Sequence, residues 1–588
     1  MKVEFARFKG YGFGDVQKDL VAGLTIGVIA IPLGMAFAIA SGVKPEYGLY
    51  TTIIAGILIS LLGGSRYQIG GPTGAFIPIL LAIVMQYGYE DLLIAGFLAG
   101  IMLVIMGVFR LGTLIKFIPR PVTIGFTAGI AVIIFSGQIS NFLGLTGIEK
   151  HEEFILNMKE IVLHLNTINR YSIITALISL VIILLTPKFF PKVPGSLIGL
   201  LFSSIIAYLI FRDQIPTIGS TFGDIKATLP TLQIPELSWE RVEKLLPSAF
   251  IIAMLGGIES LLSAVVADGM TGERHNSNKE LIGQGVANII TPLFGGIPAT
   301  GAIARTATNI KSGAVSPLSG IIHGFVVLLI LLVLAPYAIH IPLASMAPIL
   351  MIVAWNMSER KEFVHVLKTK TGDSVVLLIT FLLTVFTDLT TAVEIGLVLA
   401  VILFIKRMSE LITVSMVLPD PEDQHHHLTA IQKIQEKGHS CPQISIYTIE
   451  GPLFFGAAQF FAKSIMDTIK YHPKVLILQM GKVPYMDITG EANLSSIVQH
   501  FLKKDGKILV TGIKNQPREM LEKTGLYHQI GAENFYLHTS DAIDVALEMI
   551  ETEQCRACQG NAFSECRVLA APVRKVAGIK QEQVLVES

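Results

Sequence analysis

Residues 294–314, FGGIPATGAIARTATNIKSGA, set a cation and a run of small residues beside a break in an otherwise apolar stretch. Gly295, Gly296 and Pro298 oppose a regular helix at the start, whereas the Ala-rich residues that follow have the composition of a closely packed one. Thr300 is expected to cap that helix, so that the free amides of its first turn and about half a positive charge of macrodipole point into the space before it. A helix start of this kind attracts anions. Arg305 lies one to two turns further on, and helical side chains lean toward the N-terminus, which brings its guanidinium back to the same spot.

The same device occurs earlier, in GGPTGAF at residues 70–76, where Gly70, Gly71, Pro72, Thr73, Gly74 and Ala75 echo Gly295, Gly296, Pro298, Thr300, Gly301 and Ala302. Two Gly/Pro-interrupted segments at matching places in two halves of a chain point to a transport site where repeats meet. Thr73 and Thr300 would supply hydroxyls, and Gly74, Ala75, Gly301 and Ala302 would supply amides. Few polar side chains with many backbone donors suit a small oxyanion better than a sugar or a nucleobase. Glu259, in GGIESLLSAVV, has almost no polar neighbours in sequence. Burying a carboxylate there is costly, which makes Glu259 a candidate carrier of a coupling proton and also a candidate partner for Arg305.

These residues need a membrane scaffold. The chain has 588 residues with 15% charged, and its mean hydropathy is +0.61, too apolar for a soluble protein of this size. Apolar segments lie at about 20–40, 48–62, 73–86, 92–109, 123–143, 171–186 and 196–211, then 248–268, 281–294, 300–311, 316–336, 342–355, 374–387 and 391–405. The third of each set carries the Gly/Pro break. Seven plus seven is the simplest reading, and an odd number per half inverts the second repeat relative to the first. Repeat one then covers about 20–211 and repeat two about 248–405. Basic residues fit a cytoplasmic N-terminus, since Arg110 and Arg120, Lys188, Arg360 and Lys361, and Lys406 and Arg407 all fall on the expected inner loops. The N-terminal stretch reads as too polar to be a cleaved signal peptide, so the first span should remain. Balanced charge, 45 basic against 45 acidic residues, gives no sign of a nucleic-acid partner.

Beyond the transmembrane domain, residues 1–410, hydropathy drops. A polar linker is expected over 411–440, including the histidines at 425–427, and an α/β domain over 441–553. Within that domain ISIYTIEGPLFFG suggests a hairpin, while VLILQM and KILVTG suggest buried strands. The tail, 554–588, holds Cys555, Cys558 and Cys566; with Cys441 these read as reduced thiols, and no metal or other cofactor is expected.

GGIPATGAIARTATN, GGIESLLSAVVADGMTGERHNSN and VPYMDITG together resemble the sulfate permease (SulP) family of anion transporters over nearly the whole chain. The resemblance implies a fourteen-span inverted repeat like that of nucleobase transporters, with core and gate domains, a cytoplasmic STAS domain and homodimers. It also implies elevator-like movement in a bacterial inner membrane, both termini being cytoplasmic. Within the family the sequence looks similar to bacterial members that couple uptake of sulfate or C4-dicarboxylates to protons. The residue at the position of Glu259 is there associated with the coupling cation, proton or sodium. Thr489, after Asp487 and Ile488, stands where some STAS relatives are phosphorylated, although capping the following helix is the favoured role. Sodium-coupled bicarbonate transport, an anion channel and an anion sensor with STAS output are the alternatives.

Overall fold

The computed structural model describes residues 11–113, 119–151, 153–190, 193–211, 214–224, 228–387, 389–410, 412–416, 441–455, 465, 473–557 and 563. Cys558, Cys566 and the histidines at 425–427 lie outside these residues. The chain divides into two compact units, residues 1–400 and 401–588.

The first unit is helical apart from two short strands. In order come α1 (Phe13–Ala40), α2 (Pro45–Leu62), β1 (Gly70–Gly71), α3 (Ile77–Tyr87), α4 (Tyr89–Val108), α5 (Arg120–Gly137), α6 (Ile139–Leu143), α7 (Phe154–Leu163), α8 (Arg170–Phe189) and α9 (Gly195–Ile210). Then follow α10 (Ile218–Phe222), α11 (Trp239–Thr271), α12 (Ser277–Leu293), β2 (Thr300–Gly301), α13 (Ile303–Lys311), α14 (Leu318–Ala338), α15 (Leu343–Met357), α16 (Arg360–Lys368), α17 (Gly372–Phe386) and α18 (Leu389–Glu410). Each expected apolar segment overlaps one of these helices. Among the described residues, seven helices have the length and composition to cross a bilayer unaided.

Packing sorts the helices into two groups. α12 lies on α4, α2 and α11, and α14 lies on α1 and α2, whereas α5 packs against α17 and α15, and α8 against α9 and α15. Small residues set the closest approaches, as expected where dispersion rather than the hydrophobic effect holds helices together. At the α4–α12 contact, a Cβ on Gly100 would stand 2.6 Å from the Ile289 amide nitrogen and 2.7 Å from the Gly285 carbonyl oxygen. A Cβ on Gly285 would meet the Val104 amide nitrogen at 2.6 Å in return.

The second unit is a five-stranded sheet in the order β3 (Thr413–Met416), β4 (Ile444–Glu450), β5 (Val475–Lys482), β6 (Lys507–Thr511), β7 (Phe535–Tyr536). All neighbours are parallel except β3 and β4. Helices α19 (Ile488–Leu502), α20 (Asn515–Thr524), α21 (Leu526–Ile530), α22 (Thr539–Glu548) and α23 (Thr552–Ala557) complete it. β5 is buried on both faces, with Leu476, Leu478 and Met480 in one apolar cluster and Val475 and Ile477 in another. Cys441 and Cys555 pack on the second of these clusters.

Two expectations are corrected here. Among the described residues 444–455 no hairpin forms, because β4 pairs with β3 on one side and β5 on the other, leaving Leu453 to bridge to Met486. β3 falls at the start of the expected linker. Thr489 does not cap α19: Asp487 is the N-cap, its Oδ1 accepting from the Gly490 amide at 2.8 Å and its Oδ2 from the Phe455 amide at 3.0 Å. A carboxylate one residue outside the helix satisfies those donors, and Thr489 falls inside the first turn.

The α4–α12 contact is the stability test of this unit. Gly100→Val should overpack it at a cost of roughly 1–3 kcal/mol, seen as a lower melting temperature of the purified protein in detergent. An unchanged melting temperature would mean that the two backbones are not in contact.

Candidate functional site

β1 and β2 meet. They pair antiparallel, Gly70 opposite Gly301 and Gly71 opposite Thr300, so the two Gly/Pro segments cross inside the helical unit. Each strand runs on into a helix, β1 through a single turn of 3₁₀ helix at Gly74–Phe76 into α3, and β2 into α13. Because the strands are antiparallel, these helices leave the crossing in opposite directions with their amide ends toward it.

Extended backbone in an apolar interior must find partners for its amides and carbonyls. Thr51 Oγ1 accepts from the Ile297 amide at 2.7 Å, and the Asn288 side chain both accepts from the Ala299 amide and donates to its carbonyl, each at 2.8 Å. Ser260 Oγ accepts from the Gly301 amide at 3.0 Å and lies 2.8 Å from Thr300 Oγ1. Thr306 Oγ1 accepts from the Ile69 amide at 3.0 Å. Thr51 and Asn288 lie outside the quoted motifs, and Ser260 and Thr306 lie within them without a role assigned from sequence. Their signal was a polar residue set in an apolar helix, which alone does not say what it holds.

Three expectations about donors change. Thr300 is not the N-cap of α13; Ala302 occupies that position, and the Thr300 hydroxyl turns to α11, where it donates to the Gly256 carbonyl at 3.1 Å. The Gly301 and Ala302 amides are already used, by Ser260 and by the Ile69 carbonyl at 2.8 Å, because strand pairing claims them before the helix begins. Open instead are the amides of Thr73, Gly74 and Ala75 on one side and of Ile303, Ala304 and Arg305 on the other, none of which has an acceptor among the described residues.

The structure brings Thr73, Glu259 and Arg305 to this place. Thr73 Oγ1 donates to Glu259 Oε2 at 2.9 Å. Arg305, in the first turn of α13 and only 3% exposed, donates through Nη2 to the Pro72 carbonyl, while Nη1 is buried with no acceptor. Gly71 makes room for it, since a Cβ there would stand 2.7 Å from Nη1. Arg305 and Glu259 are not within ion-pair distance, so the expected alternative of a permanent salt bridge is not formed. Across the site, a Cβ on Gly74 would stand 3.5 to 3.6 Å from Val353 and Met357 of α15 and Ile134 of α5. The polar end thus belongs to one group of helices and faces apolar side chains of the other.

A buried crossing with open first-turn amides and one open guanidinium nitrogen is chemistry for holding an anion. Residues 16–380 match the model of the sulfate permease family, and residues 433–542 match that of the STAS domain. The chain belongs to the sulfate permease family. That family consists of membrane transporters, not enzymes, and this chain is an anion transporter of it with a C-terminal STAS domain. It is 58% identical over 532 residues to the putative sulfate transporter YvdB of Bacillus subtilis, covering 90% of this chain and 98% of that one. With the bicarbonate transporter BicA of Picosynechococcus it shares 31% identity over 551 residues, 91% of this chain and 95% of that one. Among solved structures, the transmembrane domain of a cyanobacterial BicA superposes with a TM-score of 0.59 at 29% identity, covering 66% of this chain and 98% of that one. The murine solute carrier 26 family member A9 anion transporter, in its inward-facing state, superposes with a TM-score of 0.83 at 20% identity over 92% of this chain and 93% of that one, a likeness of fold.

Ser260→Ala tests the crossing itself. The change leaves the buried Gly301 amide without an acceptor, at a cost of about 1–3 kcal/mol. Melting temperature and anion affinity should therefore fall together. A loss of neither would show that Ser260 does not hold β2 in place.

Proposed function

We propose that this chain is a secondary active transporter of sulfate or C4-dicarboxylates, working as a proton symporter. The observation that supports this is the crossing of β1 and β2, beside which the α3 segment and α13 begin with open amides and Arg305 Nη1 is buried without an acceptor. In this reading Thr73, Gly74, Ala75 and Arg305 hold the anion, while Thr300, Gly301 and Ala302 shape the strand that presents α13. Two helix starts and a guanidinium are complementary to an oxyanion and to little else. Sulfate is favoured by the similarity to YvdB. Similarity to BicA supports a second reading, sodium-coupled bicarbonate transport through the same site.

In this account fourteen spans form a seven-plus-seven inverted repeat, and the two Gly/Pro segments enter from opposite faces of a bacterial inner membrane. With both termini inside, the STAS domain is cytoplasmic and serves regulation or homodimer assembly. The two packing groups act as core and gate. The anion moves with the polar group of helices past the apolar wall of Ile134, Val353 and Met357, an elevator movement that needs no large change in the site.

Glu259 supplies coupling. A bound anion and a charged Glu259 repel each other at this distance, so the anion is held best when Glu259 is neutral and a proton travels with it. Thr73 touches Glu259 and stands at the start of the α3 segment, which ties the proton carrier to the anion site. Transport assays in proteoliposomes test both roles. Arg305→Ala should cost about 2–5 kcal/mol of anion affinity, roughly 30-fold or more, without unfolding the protein. Glu259→Gln should still exchange anion but lose accumulation driven by a pH gradient. Retained pH-driven uptake in Glu259→Gln would contradict proton coupling through this residue, and uptake driven by sodium alone would favour the second reading.

A further inference from the structure

A second polar cavity lies away from the crossing, where the end of α2 meets the connection from α11 to α12. It encloses about 390 Å³ and is walled by residues 64–67 on one side and by residues 268–279 on the other. That volume falls within the range of small-molecule sites and is far larger than one or two waters need.

The charges on its walls do not cancel locally. Asp268 is taken by His275, whose amide and Nδ1 lie 3.0 and 2.7 Å from its two oxygens. Glu273 is taken by Arg66 at 3.2 Å and by the Tyr67 hydroxyl at 3.4 Å. Glu280, behind the wall, is buried and accepts from the Gly64 and Ser65 amides and from Gln284. Each carboxylate near the cavity therefore has its partners. Arg274 and Lys279 do not: among the described residues neither side chain has a hydrogen bond or an ion pair, and both line the cavity. Two such cations on one wall of a polar hollow of this size are complementary to an anion with several oxygens. A guanidinium offers such a group paired donors, and an ammonium adds a point charge beside them.

We infer that this cavity is a second anion site, distinct from the one at the strand crossing, and that it takes a phosphate-bearing compound. On the topology proposed above, on which this inference rests for the side it faces, the cavity opens to the cytoplasm. There it can receive either a soluble phosphate compound or a phospholipid headgroup. The bound phosphate would bridge Arg274, in the connection that follows α11, and Lys279, in the first turn of α12.

Calorimetric titration with inorganic pyrophosphate tests the assignment. Saturable binding is expected to the full-length wild type and equally to Arg305→Ala, whose transport site is disabled. It should weaken at least tenfold in Arg274→Gln/Lys279→Gln, with the exposed Arg274→Gln alone giving part of the loss should the double variant fold poorly. Repeating the titration in nanodiscs of phosphatidylcholine with and without phosphatidylglycerol separates the sources. Weaker pyrophosphate binding in the anionic lipid assigns the cavity to a headgroup, and unchanged binding assigns it to a soluble phosphate. No saturable binding to Arg305→Ala, or undiminished affinity in both cavity variants, would overturn the inference; anion transport through the crossing is read separately, by uptake into proteoliposomes.

Discussion

The structure depends on one constraint: extended backbone inside an apolar interior must have every amide and carbonyl paired, or leave open only those that a ligand will meet. Residues 294–302 meet it through Thr51, Asn288 and Ser260 and through pairing with β1. What those partners leave open is small and localised. First-turn amides of the α3 segment and of α13 remain, with Arg305 Nη1, and Thr73 of the same segment bonds to Glu259. An arginine buried to 3% exposure is tolerable only where an acceptor or an anion can reach it.

Rigidity follows from the same helices. α4, α12, α2, α14 and α1 approach so closely, with Gly100 and Gly285 in mutual backbone contact, that the polar half of the site is carried as one body. The facing half, Ile134, Val353 and Met357, offers no hydrogen bonds and no charge. In the proposed mechanism a polar binding surface slides on an apolar one, which would give alternating access without breaking the crossing and exposing its backbone to lipid.

Much of this was legible in the sequence, for physical reasons. Gly295, Gly296 and Pro298, matched by Gly70, Gly71 and Pro72, break helices wherever they occur, so the two interruptions and their correspondence could be read without coordinates. Arg305 and Glu259 stood out because charge in an apolar segment is expensive. The capping role given to Thr300 failed because a local rule competed with a non-local one: pairing with β1, more than 200 residues away, draws Thr300 and Gly301 into a strand and moves the helix start to Ile303. The same competition removed the hairpin expected after Ile444, since a strand's partner is chosen across the sheet and not by the nearest turn. Ser260, Asn288 and Thr306 were illegible for a related reason. Each bonds to backbone that the sequence alone did not show to be extended.

The central claim is that the transported anion sits between the start of the α3 segment and the start of α13, against Arg305. The most direct measurement is an experimental structure of the purified protein with selenate, using anomalous scattering at the selenium edge to place the ion. The account predicts one buried peak within hydrogen-bond reach of Arg305 Nη1 and of amides among Gly74, Ala75, Ile303 and Ala304. Selenate that binds, yet gives its buried peak elsewhere while this place stays empty, would contradict it.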